Sequence, residues 1–230
     1  EKWAKTVEGV EVVPLKVKYP QGSEKQLIQA LTGREVPSGG LPIDVGAIVQ
    51  NVATTFAVYE AVQKNKPLIE RVITVTGKSV AEPGNYWVRV GTPLSHVVEK
   101  TGGMPEDTGK IVAGGPMMGR ALPSLDISVA KGTAAVLFIP SSDSERGKVQ
   151  NCIRCAKCVF HCPMGLEPYL LMNKSEKGLW EDVEQNRVMD CIECGSCNCV
   201  CPSNRPLVDY IRYGKSMVGN LISSRKTQQL

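Results

Sequence analysis

The sequence is poor in the residues that most often carry acid–base chemistry. Of its 230 residues only two are histidine, His96 and His161, and neither sits in a Ser/Asp or metal-binding constellation. No acid–base catalysis is therefore expected; His161, beside Cys162, is expected to tune or pack, and His96 to lie on a helix surface. No apolar run approaches the roughly 20 residues that span a bilayer. The net charge is only +4, without the clustered basic face and interleaved aromatics of a nucleic-acid binder, so no nucleic-acid partner is expected. The glycine-rich piece from Ala113 to Gly119 has neither the G-x-G-x-x-G spacing nor the Lys-Ser/Thr of a P-loop, and its two methionines predict a packed turn. No secretory signal is visible in the sequence, which argues against disulfides. It begins abruptly, as a fragment would, with neither a start methionine nor a capped element. The first 150 residues contain no cysteine, so thiol chemistry is confined to the C-terminal third.

That third is dense in sulfur. All nine cysteines lie between Cys152 and Cys201, and eight form one pattern twice: Cys152, Cys155, Cys158 and Cys162-Pro163, then Cys191, Cys194, Cys197 and Cys201-Pro202. This is the spacing of the bacterial ferredoxin run, in which three cysteines of a tight loop grip one [4Fe-4S] cluster and the fourth reaches the other. The pattern assigns Cys152, Cys155, Cys158 and Cys201 to one cluster, and Cys162, Cys191, Cys194 and Cys197 to its neighbour. Zinc also takes four cysteines, but usually as two spaced C-x-x-C pairs, which fits the triplets poorly. Cys199 is expected to be a small, buried or partly buried thiol rather than a ligand.

Hydrophobic residues make up 42% and charged residues 22%, ordinary for a globular chain long enough for two or three domains. The alternation from Val10 to Tyr19 predicts a strand with an edge proline. Glu24 to Leu31 has helical periodicity and a C-cap at Gly33. Asp44 to Gln63 reads as one helix capped by Asp44, its stripe of Val45, Ile48, Val49, Val52, Phe56, Tyr59 and Val62 facing a core. On its polar side Asn51 and Thr54 stand three apart, which unaided reads as a solvated pair. Strands are expected from Arg71 to Gly77, Tyr86 to Gly91, Lys110 to Ala113, Ile127 to Ala130 and Ala134 to Ile139. A turn at Pro83-Gly84-Asn85 and a short helix from Thr92 to Lys100 complete a β-grasp module. A polar linker, Ser141 to Lys148, leads to the cysteines. Helices are expected at Leu166–Lys174, Leu179–Gln185 and from Leu207, with a fraying tail from Ser223.

Several short stretches together resemble one family. They are Tyr19-Pro20-Gln21-Gly22, Leu31-Thr32-Gly33-Arg34-Glu35-Val36-Pro37, Gln50-Asn51-Val52-Ala53-Thr54, Val75-Thr76-Gly77, Pro83-Gly84-Asn85, Gly114-Gly115-Pro116-Met117-Met118-Gly119 and Cys191-Ile192-Glu193-Cys194-Gly195. In that order the chain resembles the C-terminal portion of the C subunit of the Rnf electron-transport complex and of its relative Rsx. The resemblance implies an α+β chain of three parts: 1–69, the end of a complex I flavoprotein-like domain; 70–140, a soluble-ligand-binding β-grasp domain; and 141–222, a helical two-cluster ferredoxin domain, with 223–230 as tail. It implies electron relay in an ion-translocating ferredoxin:NAD oxidoreductase, peripheral on the cytoplasmic face of the bacterial inner membrane. Other complex subunits and ferredoxin-type carriers would be its partners, and NAD(H) a substrate of the complex.

An Asn-Val-Glu-Thr motif touches FMN in the complex I flavoprotein, so Asn51 and Thr54 carry over, while Ala53 replaces its glutamate. Glu24 takes the place of the second acid of that family's Gly-Glu-Glu loop, and Ser23 replaces the first. The family's glycine-rich nucleotide loop is not in this sequence, so this stretch alone is not expected to bind FMN or NADH well. The competing expectation is a non-redox scaffold with structural metal and a partner-binding β-grasp module.

Overall fold

A computed structural model describes residues 7–227; residues 1–6 and 228–230 lie outside the described residues. The strand expected from Val10 does not form. Residues 10–18 carry no ladder bonds, because alternation makes a strand only where a neighbour offers hydrogen bonds, and none does so among the described residues. The segment closes in a turn at the cis Tyr19–Pro20 peptide, where the Gln21 N–H bonds the Lys18 carbonyl at 2.7 Å.

Helix α1 (Glu24–Thr32) ends at Gly33, whose left-handed φ of 69° turns its N–H onto the Gln29 carbonyl at 3.0 Å. The single helix expected from Asp44 is instead two pieces. Asp44 accepts the Leu41 N–H at 2.7 Å and closes a 3-10 turn, Pro42–Val45, which Gly46 terminates at φ 70°. Helix α2 (Val52–Lys64) starts afresh, with Asn51 as N-cap accepting the Ala53 N–H at 2.9 Å. Its stripe is not core either. Val52, Phe56, Tyr59 and Val62 are exposed, and α2 contributes no buried residue.

A five-stranded sheet follows, in the order β2-β1-β5-β3-β4. Strands β1 (Glu70–Gly77) and β2 (Gly84–Arg89) pair antiparallel, so Gly84 and Asn85 belong to β2 rather than to the expected turn. Helix α3 (Leu94–Lys100) is entered through Pro93, one residue later than Thr92 suggested. Strands β3 (Thr108–Ala113), β4 (Arg120–Leu122) and β5 (Ala135–Pro140) complete the sheet, with β5 parallel to β1. The stretch Ile127 to Ala130 supplies only one bridge, Ser128 to Pro93. Ile73, Val75, Val136 and Phe138 alternate inward and meet Leu94, Val97 and Val98 of α3. Each such side chain contributes about 1.5–3 kcal/mol when fully buried.

The remainder is helical: α4 (Ser141–Ser144), α5 (Lys157–Phe160), α6 (Pro168–Glu176), α7 (Trp180–Gln185), α8 (Ser196–Cys199) and α9 (Leu207–Thr227). Leu171 and Met172 of α6, Val183 of α7, and Leu207, Ile211 and Val218 of α9 form a second core, with Cys197 inside it and five further cysteines or sulfur-bearing neighbours at its edge. The tail expected from Ser223 continues α9 through Thr227, and Arg225 ties it to Glu184 of α7 at 2.7 Å. Among the described residues no helix is long and apolar enough to cross a membrane.

Candidate metal centres

The two cysteine runs take the same path. In the first, Arg154 and Ala156 adopt left-handed φ of 57° and 56° on either side of Cys155; in the second, Glu193 and Gly195 do so at 55° and 80° around Cys194. Each run then turns into a single helical turn, α5 or α8. Left-handed conformation costs an ordinary residue about 1–2 kcal/mol, and such strain persists where the surroundings over-determine it. Here it curls each loop so that its backbone N–H groups and thiols face inward, the kind of concavity that holds anionic iron–sulfur groups.

Three thiols of each loop join one of the other. Cys152, Cys155, Cys158 and Cys201 line a cavity of about 540 Å³ together with Arg154, Tyr169 and Arg205. Cys162, Cys191, Cys194 and Cys197 line a tighter, almost wholly apolar one of about 20 Å³. The crossing follows from bonds that tie the start of the first run to the end of the second. The Gln150 N–H reaches the Ser203 carbonyl at 2.9 Å and the Ser203 hydroxyl returns to the Asn151 carbonyl at 2.9 Å, which draws Cys201 beside Cys152. On the other side the Leu166 and Glu193 N–H groups each point at a sulfur, Cys162 Sγ and Cys191 Sγ, at 3.4 Å. Among the described residues no three His, Cys, Asp or Glu side chains converge on the position of a single metal ion. The sulfurs are spread over cavity walls instead. Eight thiols, inward N–H groups and a largely apolar lining are a donor set that suits two iron–sulfur cubanes.

Burial raises the Cys197 thiol to about 12, and the charges of Cys191, Cys194 and Cys162 push the same way. Burial also raises Cys191, offset by the Glu193 N–H and the Lys215 ammonium. Cys158 is raised chiefly by burial, with the Cys201 charge adding to it. A cationic iron core is what would hold such thiols ionised.

The second cavity is covered by distant parts of the chain that sequence reading did not place there. The Tyr19 hydroxyl donates to the Cys194 carbonyl at 2.5 Å, and burial raises its pKa from the usual 10.0. Gln26 reaches the Pro163 carbonyl at 3.3 Å and Met164 Sδ at 2.9 Å; Ser38 donates to Asp190 at 2.6 Å. The Ala113–Gly119 turn docks as well. Arg212 bonds the Met118 carbonyl at 2.9 Å and Glu193 at 3.0 Å, and a Cβ on Gly195 would stand 2.5 Å from the Met117 carbonyl oxygen. These contacts span up to 175 residues of sequence, and no local signal announces them.

The residues carried over for a flavin are not brought into one enclosed site. Glu24, Asn51 and Thr54 are all exposed, and the Asn51 side chain is engaged in capping α2. His96 is exposed with Glu99 at 3.8 Å, and His161 Nδ1 lies 2.9 Å from the Lys157 carbonyl oxygen. Cys199, expected to be at least partly buried, is exposed, because α8 turns its odd face outward. In the iron-loaded protein Cys199 should therefore be the one thiol that reacts with iodoacetamide, the other eight reacting only after iron is removed; mass spectrometry of the alkylated protein checks this.

Comparison with known proteins agrees with this anatomy. The sequence matches the Nuo51 FMN-binding domain over residues 1–60, the SLBB domain over 72–121 and the 4Fe-4S dicluster domain over 145–202. It is 49% identical over 219 residues to the C subunit of the proton-translocating ferredoxin:NAD(+) oxidoreductase complex of Clostridium ljungdahlii, covering 94% of this chain and 48% of that protein. It is 44% identical to the Na(+)-translocating counterpart of Acetobacterium woodii, covering 90% of the chain and 46% of the relative. With the C subunit of the ion-translocating oxidoreductase complex of Erwinia tasmaniensis the figures are 46%, 91% and 26%. The chain thus spans about half the length, or less, of these relatives.

A flavoprotein-type region, an SLBB domain and a dicluster domain in this order define an iron–sulfur polypeptide of the complex I flavoprotein kind. Over the residues it spans, the chain is similar to the C subunits of ion-translocating ferredoxin:NAD(+) oxidoreductase complexes.

Proposed function

We propose that this chain, as part of a longer C subunit, relays electrons through two [4Fe-4S] clusters between a flavin/NAD site and the other subunits of a membrane-bound ion-translocating complex, from the cytoplasmic face of the membrane. The observation that carries the reading is the sorting of eight thiols into two interlaced sets of four around separate cavities. Cys152, Cys155, Cys158 and Cys201 hold one cluster; Cys162, Cys191, Cys194 and Cys197 hold the other. When bound, such clusters accept and donate single electrons without proton chemistry at the protein. The chain's own part is to fix both sets in one helical core, exclude water from the second, and direct N–H groups at sulfur to stabilise negative charge.

Glu24, Asn51 and Thr54 are the residues through which this chain would contribute to an FMN site. Their exposure fits a site completed by other parts of the full-length protein. Iron, acid-labile sulfide and flavin analysis of that full-length protein, with EPR of its dithionite-reduced form, tests the reading. About eight irons and eight sulfides per chain, with signals from two reduced clusters, are expected. A colourless, zinc-loaded protein would overturn it in favour of a structural scaffold.

A further inference from the structure

The two cavities are lined by charge of opposite sign. Arg154 and Arg205 stand in the wall of the first, with no carboxylate among the described residues that line it. In the second, Glu193 is the only charged residue among those described in an otherwise apolar wall. A carboxylate there opposes the negative charge that four thiolates and an added electron would bring. Two cations from α9 stand behind it. Arg212 Nε lies 3.0 Å from Glu193 Oε2, and Lys215 Nζ lies 3.3 Å from Glu193 Oε1. Lys215 also donates to the Cys191 carbonyl at 2.6 Å, whereas Arg212 turns its other nitrogen to the Met118 carbonyl. Arg212, Lys215 and Glu193 keep only 25%, 26% and 28% of their side-chain surface exposed, so salt screens them less than it screens surface charges.

We infer that Lys215 sets the reduction potential of the second cluster: its ammonium, fixed on the Cys191 carbonyl and on Glu193, favours the reduced form. The inference rests on the relay function proposed above and adds to it a residue outside the thiol set. An electron entering that set adds one negative charge, which Glu193 resists and Lys215 attracts. Helix α9 is already fixed to the core by Leu207, Ile211 and Val218, so the Lys215 contacts are not what hold the helix in place. They add a positive charge at the base of the loop that carries Cys191, Cys194 and Cys197. Potentials of iron–sulfur clusters respond to net charge and to hydrogen bonds about the sulfurs. The partners of Lys215 all lie in the second run, so its effect is confined to the second cluster.

The test is a reductive titration of the iron-loaded full-length protein, followed by EPR. The signal of the second cluster is the one that Cys191→Ser removes. In Lys215→Gln its ratio of reduced to oxidised form at a fixed potential should fall about tenfold. That is a downward shift of about 59 mV for a one-electron couple, while the other signal keeps its midpoint. Lys215→Arg, which retains the charge, should stay within about twofold of the native ratio. Glu193→Gln should move the same midpoint upward, and it decides the matter if Lys215→Gln loses iron. An unchanged midpoint in either neutral variant, with its iron retained, would overturn the inference and leave the relay standing. So would an equal fall in Lys215→Arg, which would assign the effect to packing. If dithionite produces no reduced clusters in the native protein, the relay itself fails, and the inference about Lys215 with it.

Discussion

Replacing Cys201 by serine is expected to abolish the cluster held by the Cys152 run, some fifty residues earlier in the chain, and to spare the cluster held by the Cys191 run among which Cys201 sits. The reason is geometric. Cys201 lines the first cavity, beside Cys152 and Cys158, and is absent from the walls of the second. Serine is a poor iron ligand beside thiolate, so the first set is left with three sulfurs facing a cavity open to solvent. About half of the iron and acid-labile sulfide should be lost, with one of two EPR signals remaining. Cys162→Ser should do the converse, removing the cluster of the Cys191 run. If Cys201→Ser instead removed the signal that Cys191→Ser removes, the interlaced assignment would be wrong. Comparing the three variants keeps the outcome interpretable even where one folds poorly.

The second large effect is expected on stripping iron. The helical core is assembled against its own ligands: Cys197 is inside it, and Cys158, Cys162, Cys191 and Cys201 pack at its edge. The sheet has a separate core of Ile73, Val75, Val136 and their neighbours that contains no cysteine. Chelation should therefore melt the helical region while the sheet keeps a cooperative transition of its own, because ligand-binding energy is here folding energy. Calorimetry or far-UV circular dichroism before and after iron removal would show one transition lost and one kept. Unchanged melting would mean that the core stands without metal.

The balance between folded and melted helical core in the iron-free protein has a pH dependence of defined sign. Folding raises Cys197 from 9.0 to about 12, so the folded state holds its proton more tightly than the unfolded chain. That contribution is complete below pH 9 and disappears as pH rises from 9 towards 12. Iron-free protein should thus be weakest in alkali, and loading it with iron should release protons, which a pH-stat would count.

The cysteine runs were legible in the sequence because their spacing is the geometry: three residues per step bring successive thiols to one side of a curled loop. Strands β1, β2, β3 and β5 were legible for a similar reason, through their alternation. Other elements turned on contacts that no window of sequence contains. Val10 to Lys18 alternates like a strand but has no neighbour to bond among the described residues. Val45, Ile48 and Val49 continue the α2 period backwards, yet Gly46 in left-handed conformation and the Asn51 cap restart the chain between them. The period also reveals that α2 has an apolar face without saying what covers it. Strand β4 is three residues long and visible only through its pairing with Ile111, Val112 and Ala113. Tyr19, Gln26 and Ser38 became part of the site solely by tertiary approach to the second cysteine loop.

The unequal cover over the two thiol sets has a further consequence, for wear rather than for traffic. Dioxygen and chelators meet Cys152 and Cys155 at the surface, while the inner set is shielded by tyrosine, glutamine and the methionine turn. Corrosion of a loaded protein should begin at the outer thiol set and work inward, so that an ageing molecule loses its exposed iron first and its sheltered iron last.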